Sequence, residues 1–141
     1  MLIENFIYSF LATWGYCIVF NVPKRFLLLS SLGGALGWIG YITLNSNGTA
    51  PVTAAFTGAA IVAIWGEFLS VKLKDIVTVF FIPGIVPLVP GAGMYYTMLA
   101  IIEKDFTKAA MVGSETLFVA GAIASGLITV SSISRIIRGK I

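Results

Sequence analysis

The stretch that most constrains this chain is Pro83-Gly84-Ile85-Val86-Pro87-Leu88-Val89-Pro90-Gly91-Ala92-Gly93, set inside an apolar run from Ile76 to Ile102. Three of the five prolines fall within eight residues here, and glycine follows two of them. Proline removes a backbone donor and disfavours helix in the residue before it. One continuous helix through this stretch is therefore not expected. Yet the run is as apolar and as long as a bilayer span. In hydrocarbon, irregular backbone is tolerated only where it is buried in protein or lines a cavity. Broken helices within membranes are a recurrent way of building transport sites.

Only 11% of the 141 residues are charged and 58% are hydrophobic, where a soluble domain carries about 25% charged residues. The composition is that of an integral membrane protein. At about 20 residues per span, five spans nearly use up the length. The net charge of +3 is modest, and its basic residues sit in short loops, which reads as topology signal and not as a nucleic-acid footprint. With no histidine and Cys17 as the single cysteine, neither a disulfide framework nor a Cys/His metal site can form within one chain. No nucleophile–base pair or phosphate loop is present, so no enzymatic activity and no cofactor are expected. Glu4 stands where a basic signal-peptide region would lie, and the first span is expected to be retained.

The fold expected is an all-α membrane protein with one transmembrane domain over 1–141. It has about five helices, at 3–21, 26–44, 52–71, 76–102 and 115–133, the fourth broken by the Pro/Gly segment. Asn45 to Thr49 reads as an uncharged turn, and Pro51 suits the first turn of the third span. Thr107 to Val112 reads as a short interfacial turn. Small residues recur at spacings of four: Gly33 and Gly37, Ala55, Ala59 and Ala63, Gly121 and Ser125, Ala122 and Gly126. That spacing lets helix backbones approach closely.

Charge bias suggests how the broken segment runs. If it crosses the membrane, Lys24, Arg25, Lys72, Lys74, Arg135, Arg138 and Lys140 share one side, seven of nine basic residues. If it turns back, the division is six against three. The first division fits the positive-inside rule better. It places the N-terminus outside, the C-terminus in the cytoplasm of a cell membrane, and the break near mid-depth.

A broken helix presents carbonyls at the end of its first half, expected at Ile82, and N–H groups at the start of its second, expected near Gly91. The first end suits a cation and the second a carboxylate. Pro83, Gly84, Pro87, Pro90, Gly91 and Gly93, with the hydroxyls of Tyr95 and Tyr96, are therefore candidate substrate-binding residues. The alternative is a kink that serves packing. Glu67 is the acidic residue clearly inside an apolar span and a candidate for proton coupling. The alternative is an interfacial pair with Lys72 or Lys74. Glu115 reads as an acid at the start of the last helix, where the dipole favours it.

The run from Ile82 to Gly91, followed by Met94-Tyr95-Tyr96-Thr97-Met98, resembles the threonine/serine exporter family in its single-domain, small-subunit form. Gly66-Glu67, Glu115-Thr116 and Ala122-Ile123-Ala124-Ser125-Gly126 agree with it. The resemblance is good from Glu67 to Arg135, while the first two spans match only in hydrophobicity and length. It implies export of small hydroxy-amino acids or related carboxylates, coupled to the proton gradient. It also implies a larger membrane subunit as partner; five spans offer few walls for a solute path, so a partner or a homo-oligomer is expected in any case. A non-transporting scaffold subunit and a self-sufficient homo-oligomeric efflux pump are the other readings.

Overall fold

The computed structural model describes residues 2–139, so Lys140 of the C-terminal basic trio lies outside the described residues. Helix α1 runs Leu2–Val19, and a 3-10 turn at Lys24–Phe26 leads into α2, Leu27–Ser46. Helix α3 is Pro51–Leu73. The broken segment is α4, Thr78–Ile85, continued by a 3-10 turn at Val86–Leu88, and then α5, Gly91–Ile102. The two parts meet at a bend of 54°. Helix α6 is Phe106–Ile137. Among the described residues there is no strand. Four helices are long and apolar enough to cross a membrane, and five if the bent pair counts as one span.

Two expectations need correcting. The turn at Thr107 to Val112 is helical, because Asp105 caps a helix there: its carboxylate accepts the Lys108 N–H at 3.0 Å. Helix α6 therefore has 32 residues, or roughly 48 Å at 1.5 Å per residue. Glu115 lies well inside it and does not start it. The first half of the broken segment also ends later than Ile82, since α4 runs through Pro83 to Ile85. A proline at this position leaves the carbonyl four residues earlier without its helical partner. That carbonyl belongs to Val79, and the Ser30 hydroxyl of α2 donates to it at 3.3 Å. The neighbouring helix replaces the missing bond, and α4 persists for one more turn.

Packing fixes the direction of every helix. Thr13 of α1 faces Gly34 of α2, Cys17 faces Ser31, and the Trp38 indole N–H donates to Asn5 at 3.4 Å. These pairs make α1 and α2 antiparallel. On α2 and α3, Gly37 and Gly58 touch through their backbones, and the Trp65 indole donates to the Leu29 carbonyl at 2.9 Å. On α3 and α6, Gly126 lies against Phe56, Ala59 and Ala60, while Ser134 donates to Glu67 at 2.9 Å. Both contacts pair residues 67 apart (59 with 126, 67 with 134), so α3 and α6 are parallel. The chain leaves the end of α3 at Leu73 and re-enters the start of α6 at Phe106. For the two helices to be parallel, the bent segment between them must traverse the bundle rather than turn back.

The core follows from the small residues. Ala55, Ala59, Val62, Leu88, Val119, Ala122 and Ile123 are buried together, and Phe26, Leu69 and Phe80 form a second cluster. Of the two small pairs on α6, Ala122 and Gly126 are buried, whereas Gly121 and Ser125 are exposed. Polar side chains inside the apolar helices are satisfied locally. Ser9, Thr13 and Ser31 each donate to the carbonyl four residues earlier, as backbone and hydroxyl groups require away from water.

Candidate functional site

The break forms one wall of a cavity of about 410 Å³. Pro87, Leu88, Val89, Pro90, Gly91, Ala92 and Gly93 supply that wall. Trp38 and Tyr41 of α2 and Pro51 of α3 supply another, and Val112, Glu115, Thr116 and Val119 of α6 close it. Pro51 is the first residue of α3. The cavity thus lies toward the Asn45–Ala50 end of the α2–α3 hairpin. Beyond it α5 and the first part of α6 continue as an antiparallel pair, with Gly93 against Thr116 and Thr97 against Gly113.

The break is built from short-range bonds. The Val89 N–H is shared between the Ile85 and Val86 carbonyls at 3.2 Å each, and the Gly91 N–H reaches back to the Val89 carbonyl at 2.8 Å. Helix α5 then starts afresh, its first α-type bond running from the Met94 N–H to the Pro90 carbonyl at 3.1 Å. The N–H groups of Ala92 and Gly93 belong to the turn that has no helical acceptor, and both residues line the cavity. Gly91 lines the cavity, and a Cβ there would meet nothing within 4 Å. Gly93 instead lets α5 close on the Thr116 side chain.

The candidate residues therefore divide. Pro87, Pro90, Gly91 and Gly93 come together on the cavity wall. Pro83 and Gly84 are buried in the bundle, where a Cβ on Gly84 would lie 2.8 Å from Val62. Tyr95 and Tyr96 do not line the cavity; they are exposed and pack edge-on against each other, with ring centroids 5.4 Å apart. Glu115 is the acidic residue of the lining, and it makes no ion pair or side-chain hydrogen bond among the described residues. From the sequence Glu115 reads as a helix start, because Glu103, Lys104, Asp105 and Lys108 have the polar pattern of a connection. Trp38 and Tyr41 read as ordinary span residues, since only the folded α2 turns them toward the break. Their rings stack with centroids 5.3 Å apart.

Glu67 sits elsewhere, at the opposite end of the bundle. Its carboxylate accepts from Arg138 at 2.8 Å and from Ser134 at 2.9 Å, and the Arg138 guanidinium also donates to the Glu67 carbonyl at 2.9 Å. The partner is thus Arg138, neither Lys72 nor Lys74. Three bonds tie the end of α6 to α3. Removing one member of a deeply buried pair costs about 3–5 kcal/mol, because the other charge is left uncompensated. Here the Arg138 side chain keeps 31% exposure, so Arg138→Ala is expected to cost about 2 kcal/mol. Adding Glu67→Gln should return most of that loss, because the stranded charge is removed. Melting curves of the two variants in detergent check this; a double variant no more stable than the single one would refute it.

Lys24, Arg25, Lys72, Lys74, Arg135 and Arg138 all lie at this end, with Arg25 paired to Asp75 at 2.8 Å. Lys104 and Lys108 lie at the other, at the α5–α6 turn.

No solved structure matches this chain. An uncharacterized protein of Haemophilus influenzae is 26% identical over 134 residues, which is 89% of this chain. The chain spans 45% of that relative's length. The family described as "Threonine/Serine exporter, ThrE" matches residues 5–133. That range takes in nearly all of the helical bundle, with the bent segment and the cavity. With this coverage, and with a multi-pass helical fold of the kind transport proteins use, the chain belongs to the threonine/serine exporter family.

Proposed function

We propose that this chain is a membrane subunit of a secondary exporter of threonine, serine or closely related small solutes, and that the cavity beside the break is its solute site. The observation that carries this reading is the broken crossing itself. A scaffold needs no interrupted helix, whereas interrupted helices expose backbone groups to a bound solute. The cavity volume of about 410 Å³ falls within the roughly 300–1,000 Å³ typical of small-molecule sites. The N–H groups at the start of α5 suit the carboxylate that every amino acid carries.

The basic end of the bundle then faces the cytoplasm of the cell membrane. The start of α1 and the cavity lie toward the outside. Export against a gradient requires a driving force, which we assign to the proton gradient. The partner is a larger membrane subunit or a further copy of this chain. More than half of the Haemophilus influenzae relative lies outside the match, enough for a second membrane unit. The apolar surface of α5, with Met94, Met98 and Ile102 exposed, is available to lipid or to that partner.

Deleting the gene from its host is expected to raise intracellular threonine after loading with a threonine dipeptide and to slow its release several-fold. Restoring the chain together with the proposed partner subunit should recover release. Release that is unchanged by deletion would overturn the transport reading and leave the scaffold one.

A further inference from the structure

Glu115 is the one charged residue of the cavity lining among the described residues. It lies inside the 32-residue α6, so it does not serve the helix start. It has no cationic partner among the described residues, in contrast to Glu67, which is held by Arg138 and Ser134. Its side chain is exposed and lines the cavity, so a solute there can reach it. Two further facts say what it faces. The same cavity is walled by the stacked rings of Trp38 and Tyr41, and aromatic faces attract cations, indole most strongly. Among the described residues, no Lys or Arg lines the cavity.

We infer that Glu115, with Trp38 and Tyr41, forms a cation subsite that takes the ammonium group of the exported amino acid and disfavours dicarboxylates. The inference rests on the transport reading above and narrows its substrate class. An amino acid then lies with its carboxylate toward the N–H groups of Ala92 and Gly93 and its ammonium toward Glu115. A dicarboxylate fits the first contact but brings a second negative charge to a wall that already carries one. Like charges so placed repel, which is how a site rejects a solute of suitable size. Glu115 is thus a specificity-determining residue, and Glu67 a structural one.

The test uses membrane vesicles from the host, carrying the whole transporter with wild-type Glu115, Glu115→Gln or Glu115→Asp. Threonine–threonine exchange, net threonine efflux and succinate exchange are measured, with transporter content quantified in each preparation. Glu115→Gln is expected to lower threonine exchange at least tenfold, Glu115→Asp to lower it less, and the ratio of succinate to threonine exchange to rise in Glu115→Gln. Unchanged threonine exchange in Glu115→Gln overturns the inference and leaves the transport reading standing. Exchange that persists while net efflux is lost also overturns it, since the carboxylate then carries the proton and not the ammonium. Wild-type vesicles that exchange succinate but not threonine overturn the inference alone, and vesicles that exchange neither overturn the transport reading itself and the inference with it. If Glu115→Gln does not accumulate, wild-type vesicles are treated with a carbodiimide that modifies carboxyl groups, and labelling of Glu115 is read by mass spectrometry. Protection by threonine but not by succinate supports the inference. Equal labelling with and without threonine overturns it.

Discussion

Gly126→Val is expected to unseat α6 from α3 and to cost about 3 kcal/mol, the upper part of the usual range for overpacking a filled interior. A Cβ at Gly126 would lie 2.8 Å from the Phe56 carbonyl oxygen, 3.2 Å from the Ala59 methyl and 3.4 Å from the Ala60 nitrogen. Two of those three neighbours are backbone atoms of α3, which cannot swing aside as a side-chain tip can. The helices would have to part along their whole contact. The loss would also reach the Glu67–Arg138 tie, which depends on the same register. In a membrane, helices gain little from hydrophobic burial against one another, so close backbone packing supplies much of their affinity. Gly121→Val is the control. It lies on the same helix, and its Cβ would meet nothing within 4 Å. Its change should stay within about 0.5 kcal/mol, as for an exposed site free of special contacts. Melting temperatures in detergent and the fraction that stays monodisperse decide the matter. Equal losses for the two variants would show that α3 and α6 do not meet at Gly126.

The same pair of glycines shows how much the sequence could disclose. Spacing of four marked Gly121 with Ser125 and Ala122 with Gly126 as equal candidates for a helix contact. Only the second pair is buried. Spacing specifies a face of a helix; it does not say which face meets a neighbour when both are apolar. Soluble proteins resolve this by polarity, but a lipid-facing stripe is as hydrophobic as a buried one.

The broken crossing was legible for the opposite reason. Proline chemistry acts locally, so Pro87 and Pro90 announce an interruption whatever surrounds them. Pro83 misled because the repair is not local. The Ser30 hydroxyl that meets the Val79 carbonyl comes from another helix, and no feature of the segment itself points to it. The site was half legible. The backbone wall follows from the motif, but the side-chain wall of Trp38, Tyr41 and Glu115 is assembled by packing from α2 and α6. Glu115 was further hidden by the reading of residues 107–112 as a turn. The N-cap at Asp105 was the signal that would have exposed the longer helix.

Gly91→Leu is expected to abolish most export while leaving the fold intact, and this separates a cavity that works from one that is merely present. Gly91 lines the cavity and has open space where a side chain would start. Its φ lies outside the left-handed range that only glycine adopts easily, so a larger residue is not strained there. A leucine would therefore stand in the cavity in front of the α5 N–H groups. It would displace the solute carboxylate from them and bring apolar surface where a charged group should sit. A charge-assisted hydrogen bond is worth about 1.5–3 kcal/mol, so losing one or two such contacts corresponds to at least a tenfold fall in solute binding at about 1.4 kcal/mol per factor of ten. Gly91→Ala, which adds one methyl group, should give an intermediate loss. Gly15→Leu is the matching control, because Gly15 is exposed on α1 and a Cβ there also meets nothing within 4 Å. Threonine efflux, normalised to transporter content and compared with melting temperature, reads both properties in the same preparation. Normal efflux from a stable Gly91→Leu protein would mean that the solute passes elsewhere. The break would then be a packing kink, the alternative that proline chemistry alone had left open.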